Sequence, residues 1–349
     1  MSRSHDSDHP PRSDGIRSPE TGLRRLAGAY QVSRAVQVAA RLGLGGLVAG
    51  GPRTVTELAR ETGSDRRALR KLLRFLADLR VVEEHPGDAY GPTSLSDRLD
   101  RIDNLMLGEE SWSAWGALPE ALRTGRPVFR EIYGASFFEY AAAHPEQGRR
   151  WHDEQTRTAR WLAPSVAEGL GRSGSETVVD VGGGDGTLLA EILRRAPGCR
   201  GVLLDLPEAV APAGEVLRRN GVAERCRVVA GDAFDEVPAG DVLLLCRVLF
   251  NWSDERALTL LGRCRDALEP DGRLVIVEIL MPDAGEPRAP GIAAADLHHF
   301  LLWGGSYRTR DQIERLLEDS GFAVPSPPVP IGPGAEAATV WRRLEARPA

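Results

Sequence analysis

Thr177 to Leu189 reads TVVDVGGGDGTLL, and its acids and glycines suit the holding of a small charged ligand. Thr177 to Val181 is a β-branched run fit for a buried strand. Gly182, Gly183, Gly184 and Gly186 then let backbone approach a ligand closely, and helical spacing resumes at Thr187. A dinucleotide would rest its pyrophosphate on that helix N-terminus, where Asp185 would repel it. Asp180 closes the strand, Asp205 ends the next one (GVLLD) about twenty residues after the glycines, and Asp232 follows a third (CRVVAGD). Carboxylates gathered at strand ends suit ribose hydroxyls and positive charge better than phosphates, and the sulfonium and ammonium of S-adenosylmethionine answer to both. In the plainer reading Asp180 and Asp185 merely cap turns.

Positioning those acids requires strands that end together. TVVDV, GVLLD, CRVVA, DVLLLC and RLVIVEI alternate with helical segments, which predicts an α/β domain with a Rossmann-like, doubly wound parallel sheet, and ATVWRRLEA is expected to return as a further strand. Asp180, Asp205, Asp232, Cys246 and Glu278 all fall at carboxyl ends and so converge on one crevice. Before the sheet, residues 105–170 are helical and rich in aromatics, among them Trp112, Trp115, Phe137, Phe138 and Trp151. Most belong to a core, but such a segment can also line a small-molecule cleft. His152 either faces that cleft or is a satisfied structural histidine.

Residues 1–20 lack hydrophobic periodicity and read as a disordered tail. An amphipathic helix and a second short one follow, ended by Gly50, Gly51 and Pro52. Thr54 to Thr93 reads as a winged helix: TVTELARETG is a capped helix stopped by Gly63, Ser64 starts a second, and VVEEHPGDAYGPT is a strand, a turn and a strand. The second helix carries Arg66, Arg67, Arg70, Lys71 and Arg74, which suits either a DNA-reading regulator or the solvated face of a dimerisation module. The expected domains are therefore 21–104, a helical connector over 105–170, and 171–349.

The formal net charge of −6 argues against general affinity for nucleic acid or anionic membrane. No apolar run reaches the roughly twenty residues of a membrane span and no signal peptide precedes the first helix, so a cytoplasmic protein is expected. Cys199, Cys226, Cys246 and Cys264 have neither CxxC nor metal-ligand spacing, so reduced thiols and no metal are expected.

From about residue 20 onward the chain resembles the small-molecule O-methyltransferase family. The resemblance rests on VVDVGGGDG, LLDLP, GDAF, NWSDERALTLL and WGGSYRTRDQIERLLEDSGF. It implies S-adenosylmethionine as cofactor and a homodimer formed through the winged-helix domain, with no nucleic acid and no membrane as partner. By position the cofactor contacts would be Gly182, Gly184, Asp205, Leu206, Asp232, Phe234, Cys246 and Trp252, with Asp180, Ala233 and Arg247 beside them. The acceptor would meet Trp151, His152, Phe250, His298 and Trp303.

The catalytic positions depart from the pattern. Where typical members read HDW, with the histidine as general base, this chain has Phe250-Asn251-Trp252; of two flanking glutamates one survives as Glu278 and the other is Tyr307. These replacements resemble the actinobacterial enzymes that tailor anthracyclines and related aromatic polyketides. That subgroup includes methyltransferases working mainly by proximity, and cofactor-binding members that decarboxylate or hydroxylate instead. A base adds only about 100- to 10,000-fold, and an acidic phenol needs it least. His299 is a candidate acid/base or hydrogen-bonding group, or a packed helix histidine. Adjacent His298 points about 100° away, so at most one of the two faces an acceptor. Tyr307 is a candidate hydrogen-bond donor or a pocket wall, Asn251 could orient an acceptor oxygen, and Arg308 is expected to support the loop of the helix that follows it.

Overall fold

The computed structural model describes residues 19–168, 170, 174–324, 326–331 and 341–349. The expected tail lies outside the described residues up to 18, and Pro19 and Glu20 open the first helix. The chain divides into two compact units between Glu109 and Glu110.

The first unit runs α1 (Pro19–Ala27), α2 (Tyr30–Arg41), α3 (Leu44–Val48), β1 (Arg53–Thr54), α4 (Val55–Thr62), α5 (Arg66–Asp78), β2 (Glu83–His85) and β3 (Ala89–Gly91), with sheet order β1-β3-β2. The stretch expected as two helices is three, because the chain turns at Gly28 and again at Gly43, which is left-handed with φ 67°. Thr54 and Glu57 form a reciprocal capping box on α4, worth about 1 kcal/mol, and left-handed Gly63 closes the helix. Asp65, not Ser64, caps α5 by accepting from the Ala68 N–H, since Ser64 is still tied back to Ala59 by the preceding helix end. Arg70 is drawn from the basic face into an ion pair with Asp88 in the wing turn. Leu44, Leu58, Leu73, Leu76 and Tyr90 are fully buried in this unit's core. Leu23, Leu26 and Tyr30 are 68%, 69% and 58% exposed, so the apolar face of α1 and the start of α2 is open. Beside it lies an open groove of 540 Å³ lined in part by Tyr30, Ala35, Val38, Leu72 and Phe75.

The division falls after the first residue of α6 (Glu109–Gly116), and the second unit continues with α7 (Leu118–Thr124), α8 (Phe129–Tyr133), α9 (Phe137–Ala143) and α10 (Pro145–Glu168). There follow β4 (Thr177–Val181), α11 (Thr187–Arg195), β5 (Arg200–Asp205), α12 (Pro207–Val210), α13 (Ala213–Arg219), β6 (Cys226–Ala230), β7 (Gly240–Cys246), α14 (Asp254–Ala267) and β8 (Leu268–Ile279). The end comprises α15 (Ile292–Trp303), α16 (Arg310–Asp319), β9 (Phe322–Ala323), β10 (Val329–Pro330) and β11 (Trp341–Pro348). Strand order is β10-β11-β8-β7-β4-β5-β6. Strands β8 to β6 along this order are parallel, while β11 joins β8 antiparallel, so the expected further strand is an antiparallel margin and its first three residues, 338–340, lie outside the described residues.

Helices cover both faces of the sheet, which is why its central strands are apolar without alternation. Val178 packs with Leu162, Leu189 and Leu217 of α10, α11 and α13, and its neighbour Val179 packs on the other face with Leu261 of α14 and Leu317 of α16. Each such leucine contributes about 1.5–3 kcal/mol. The chain leaves β4 toward β5 and β6, then returns to build β7 and β8 on the opposite side. That reversal opens a crevice at the carboxyl ends of β4 and β7. The four cysteines are free thiols, and no helix among the described residues is long and apolar enough to cross a membrane.

Candidate active site

Strand β4 delivers Asp180 to the floor of the crevice. It is 1% exposed and both carboxylate oxygens lack a hydrogen-bond partner. Burial, reinforced by Asp205 and Asp185, pushes its pKa up to about 7. A Cβ on Gly183 would stand 2.6 Å from the Asp180 carboxyl carbon and 2.5 Å from Leu203 Cδ1, so only glycine lets the turn close over this acid. Gly184, left-handed with φ 60°, donates its N–H to Asp205 Oδ2 at 2.8 Å, and Leu206 N–H donates to Oδ1 at 2.7 Å. Burial still raises Asp205 above the usual carboxylate range. Asp185 does act as a cap, accepting from Thr187 N–H at 3.0 Å, and it also takes the Thr156 hydroxyl of α10 at 3.0 Å. His152 stands near Asp205 and Asp185, and burial lowers its pKa.

After β6, Asp232 accepts from Phe234 N–H at 2.9 Å, with Ala233 between them. Phe234 and Trp252 meet edge to face at 4.8 Å, and the Arg256 guanidinium lies 3.9 Å and 4.7 Å from their ring centres. Orphaned Asp180, half-satisfied Asp205 and this aromatic edge are complementary to a cationic methionine end, a ribose and an adenine in turn. The residues present therefore fit S-adenosylmethionine.

Beyond Cys246, whose thiol burial pushes up, β7 breaks at Arg247, a left-handed non-glycine residue with φ 64°. The turn is fixed from both sides. Glu278 Oε1, at the end of β8, accepts from Val248 N–H at 3.0 Å and Leu249 N–H at 2.8 Å. Arg308, 4% exposed, donates to the carbonyls of Leu249 at 2.9 Å and Trp252 at 2.7 Å and to Asp254 at 2.8 Å. Its target is thus the turn carrying Phe250, not the loop of the helix that follows it. Glu278 is 1% exposed, burial pushes its pKa up to about 7, and Oε2 is unpartnered. The Asn251 amide donates back to the Arg247 carbonyl at 3.3 Å.

Phe250 packs against α15. Its ring is 5.1 Å from His299 and 5.6 Å from Tyr307, and His299 stacks on Trp303 at 4.8 Å. Burial, with His298 and Arg247 nearby, pushes the His299 pKa down to about 3, so the imidazole is neutral at physiological pH. Its Nδ1 has no partner. His298 points elsewhere and accepts the Trp115 indole N–H at 2.8 Å, the divergence expected of adjacent helical residues. Tyr307 N–H donates to Asp296 Oδ1 at 2.6 Å, and burial raises the phenol's pKa. Trp303 and Trp151 both pack on Phe137, at 4.9 Å and 5.4 Å, and Phe138 joins them to Trp252 at 6.2 Å. One aromatic wall thus runs from Trp252 to His299. Asp296, Arg256 and Gln155, which binds Arg247, were not singled out in the sequence; Asp296 could have been, since it lies one turn before His299 on α15.

Two family matches cover most of the chain: an O-methyltransferase domain over residues 115–323 and an O-methyltransferase dimerisation domain over residues 24–100. A phenazine O-methyltransferase of Lysobacter antibioticus is 37% identical over 86% of this chain and 90% of its own length. A phenazine-1-carboxylate N-methyltransferase of Pseudomonas aeruginosa is 36% identical over 84% of this chain and 88% of its own. An O-methyltransferase from neocarzinostatin biosynthesis, solved with S-adenosylmethionine and 2-hydroxy-5-methyl naphthoic acid, superposes with a TM-score of 0.80 at 26% identity, covering 91% of this chain and 96% of that one. With the crevice acids fitted to a cationic adenosyl ligand and both domains matched, the chain belongs to the S-adenosylmethionine-dependent O-methyltransferase family.

Proposed function

We propose that this protein methylates an acidic hydroxyl on an aromatic or polyketide-like metabolite, working as a cytoplasmic homodimer held through its first unit, with positioning as the main catalytic device. The observation that carries this reading is Phe250, packed at the position of the family's base against a His299 kept neutral by burial. Neither group can take a proton from an ordinary alcohol near pH 7. An acceptor already ionised does not need one.

Bound S-adenosylmethionine supplies an electrophilic methyl group. Asp180, Asp205, Asp232 and the Phe234–Trp252 edge hold it, while the wall from Trp151 to Trp303 holds a flat acceptor and excludes water. His299 Nδ1 and the Tyr307 hydroxyl offer hydrogen bonds to the acceptor, and Glu278 and Asn251 act by fixing the turn that carries Phe250. Oxygen is preferred to nitrogen as the modified atom on the family's description, although a relative of nearly equal identity is an N-methyltransferase. The exposed Leu23, Leu26 and Tyr30 face supports dimerisation.

The test is incubation with methyl-labelled S-adenosylmethionine and a panel of phenolic polyketides, read by mass spectrometry. Labelled product with stoichiometric S-adenosylhomocysteine is expected. Acceptor consumed while the cofactor stays intact would replace this reading with decarboxylation or hydroxylation.

A further inference from the structure

Between α15 and α16 the chain crosses from Gly304 to Thr309, and this strap carries Tyr307. Gly304 closes α15 in the left-handed region at φ 80°. A Cβ on Gly305 would stand 2.4 Å from the Phe250 carbonyl oxygen, so glycine lets the strap press onto the Phe250 turn. Three backbone groups then fix its path. Ser306 N–H donates to the Phe250 carbonyl at 2.9 Å, Met281 N–H donates to the Arg308 carbonyl at 2.9 Å, and Tyr307 N–H donates to Asp296 Oδ1 at 2.6 Å. The first two bonds join backbone to backbone. The third depends on one side chain.

Asp296 lies three residues before His299 on α15, so the two share a helix face. The helix therefore places His299 directly and Tyr307 through Asp296. Their rings close a triangle with Phe250, at 5.1 Å between His299 and Tyr307, 5.1 Å between His299 and Phe250 and 5.6 Å between Tyr307 and Phe250. Burial raises the Asp296 carboxyl above the usual range, and the Tyr307 N–H works against that rise. The charge also reaches the phenol: after burial and Glu278, Asp296 helps to hold Tyr307 protonated and able to donate.

We infer that Asp296 is the positioning residue of the acceptor site: by tying the Tyr307 backbone to α15 it sets where the phenol stands relative to the His299 imidazole. This rests on the methyltransferase reading and adds to it what orients the acceptor. Asp296 itself touches neither acceptor nor cofactor in this account. It acts through Tyr307, so its loss is felt in acceptor binding and not in the grip on the adenosyl ligand, which Asp180, Asp205 and the Phe234–Trp252 edge supply from other elements.

The experiment titrates the full-length protein, saturated with S-adenosylhomocysteine, with alizarin, a flat hydroxyanthraquinone followed by its visible absorbance. Asp296→Ala should weaken alizarin binding about five- to tenfold, the worth of one positioned hydrogen bond, while S-adenosylhomocysteine affinity stays within about twofold of wild type. Asp296→Asn, whose amide oxygen can still accept the Tyr307 N–H, should restore binding to within about threefold. In a Tyr307→Phe background, Asp296→Ala should cost less than about twofold more, because the hydroxyl it positions is already gone. Equal losses in the two backgrounds would overturn the proposal, as would alizarin binding indifferent to Asp296→Ala, a parallel fall in S-adenosylhomocysteine affinity, or a wild type that does not bind alizarin. If Asp296→Ala does not fold, Asp296→Asn and Asp296→Glu carry the test: the longer arm of glutamate displaces the strap, so binding by Asp296→Asn must lie nearer to wild type, and the reverse order overturns the assignment. The labelled-cofactor assay keeps the two levels apart. No methyl transfer, with alizarin binding as expected across the variants, removes the methyltransferase reading and leaves the role of Asp296 standing; methyl transfer with alizarin binding indifferent to Asp296 removes this inference alone.

Discussion

Phe250 and His299 lie with ring centroids 5.1 Å apart, so the phenylalanine ring helps to bury an imidazole whose pKa burial lowers. The two positions therefore act together: an apolar ring at 250 offers no proton acceptor of its own and weakens the neighbouring one. Replacing His299 by phenylalanine should lower kcat/KM for an acidic phenol by less than about tenfold, because only a hydrogen bond is lost. No limb attributable to His299 should appear in the rate profile between pH 5 and 8. A thousandfold loss, or a limb that vanishes in the variant, would mean that the imidazole carries the proton.

Arg308 makes three interactions with the turn that presents Phe250 and Trp252. Arg308→Ala leaves two buried carbonyls without donors and should destabilise the protein by about 2–4 kcal/mol, with weaker cofactor binding through displaced Trp252. Thermal melts with and without S-adenosylhomocysteine test this. An unchanged melting temperature would show that the clamp is dispensable.

Asp180 and Glu278 both have folded-state pKa values raised to about 7 from the usual carboxylate range. A carboxyl group raised in this way gives stability that is complete below its unfolded pKa and is lost as pH rises through the folded one. Ligand-free protein should therefore lose stability between about pH 4 and 7, each group adding at most about 1.4 kcal/mol per pH unit. Asp180→Asn should flatten the slope, and the melting-temperature gain from the cationic cofactor should be larger at pH 8 than at pH 5.5. Denaturant melts across that range check the sign.

Leu26 and Tyr30 leave an apolar face open on the first unit. Leu26→Asp together with Tyr30→Asp should yield a monomer in analytical ultracentrifugation while circular dichroism stays near wild type, since neither residue is in the core. A dimer of unchanged affinity would place the interface elsewhere.

Much of this arrangement was legible in the sequence for reasons that are local. A strand buried on both faces announces itself by runs such as VLLLC, and the glycines after β4 answer to a carboxylate lying directly beneath them. The capping box of α4 is likewise written in neighbouring residues. What escaped was made by contacts between distant segments. Arg308 reaches back to Leu249 and Trp252, Gln155 meets Arg247 from α10, and Arg256 covers Phe234, and no periodicity encodes such pairings. Nor does spacing tell how buried a histidine is: His298 and His299 are adjacent, yet one bonds an indole and the other is buried with its pKa lowered.

The most direct measurement is kcat/KM for methyl transfer across a series of phenols of matched size and graded acidity, at one pH, with S-adenosylhomocysteine counted against methylated product. Catalysis by positioning without a protein base predicts one S-adenosylhomocysteine per product and a rate that falls steadily as the phenol becomes less acidic. A rate indifferent to phenol acidity would mean that a base has been overlooked, and acceptor turnover without S-adenosylhomocysteine would contradict methyl transfer itself.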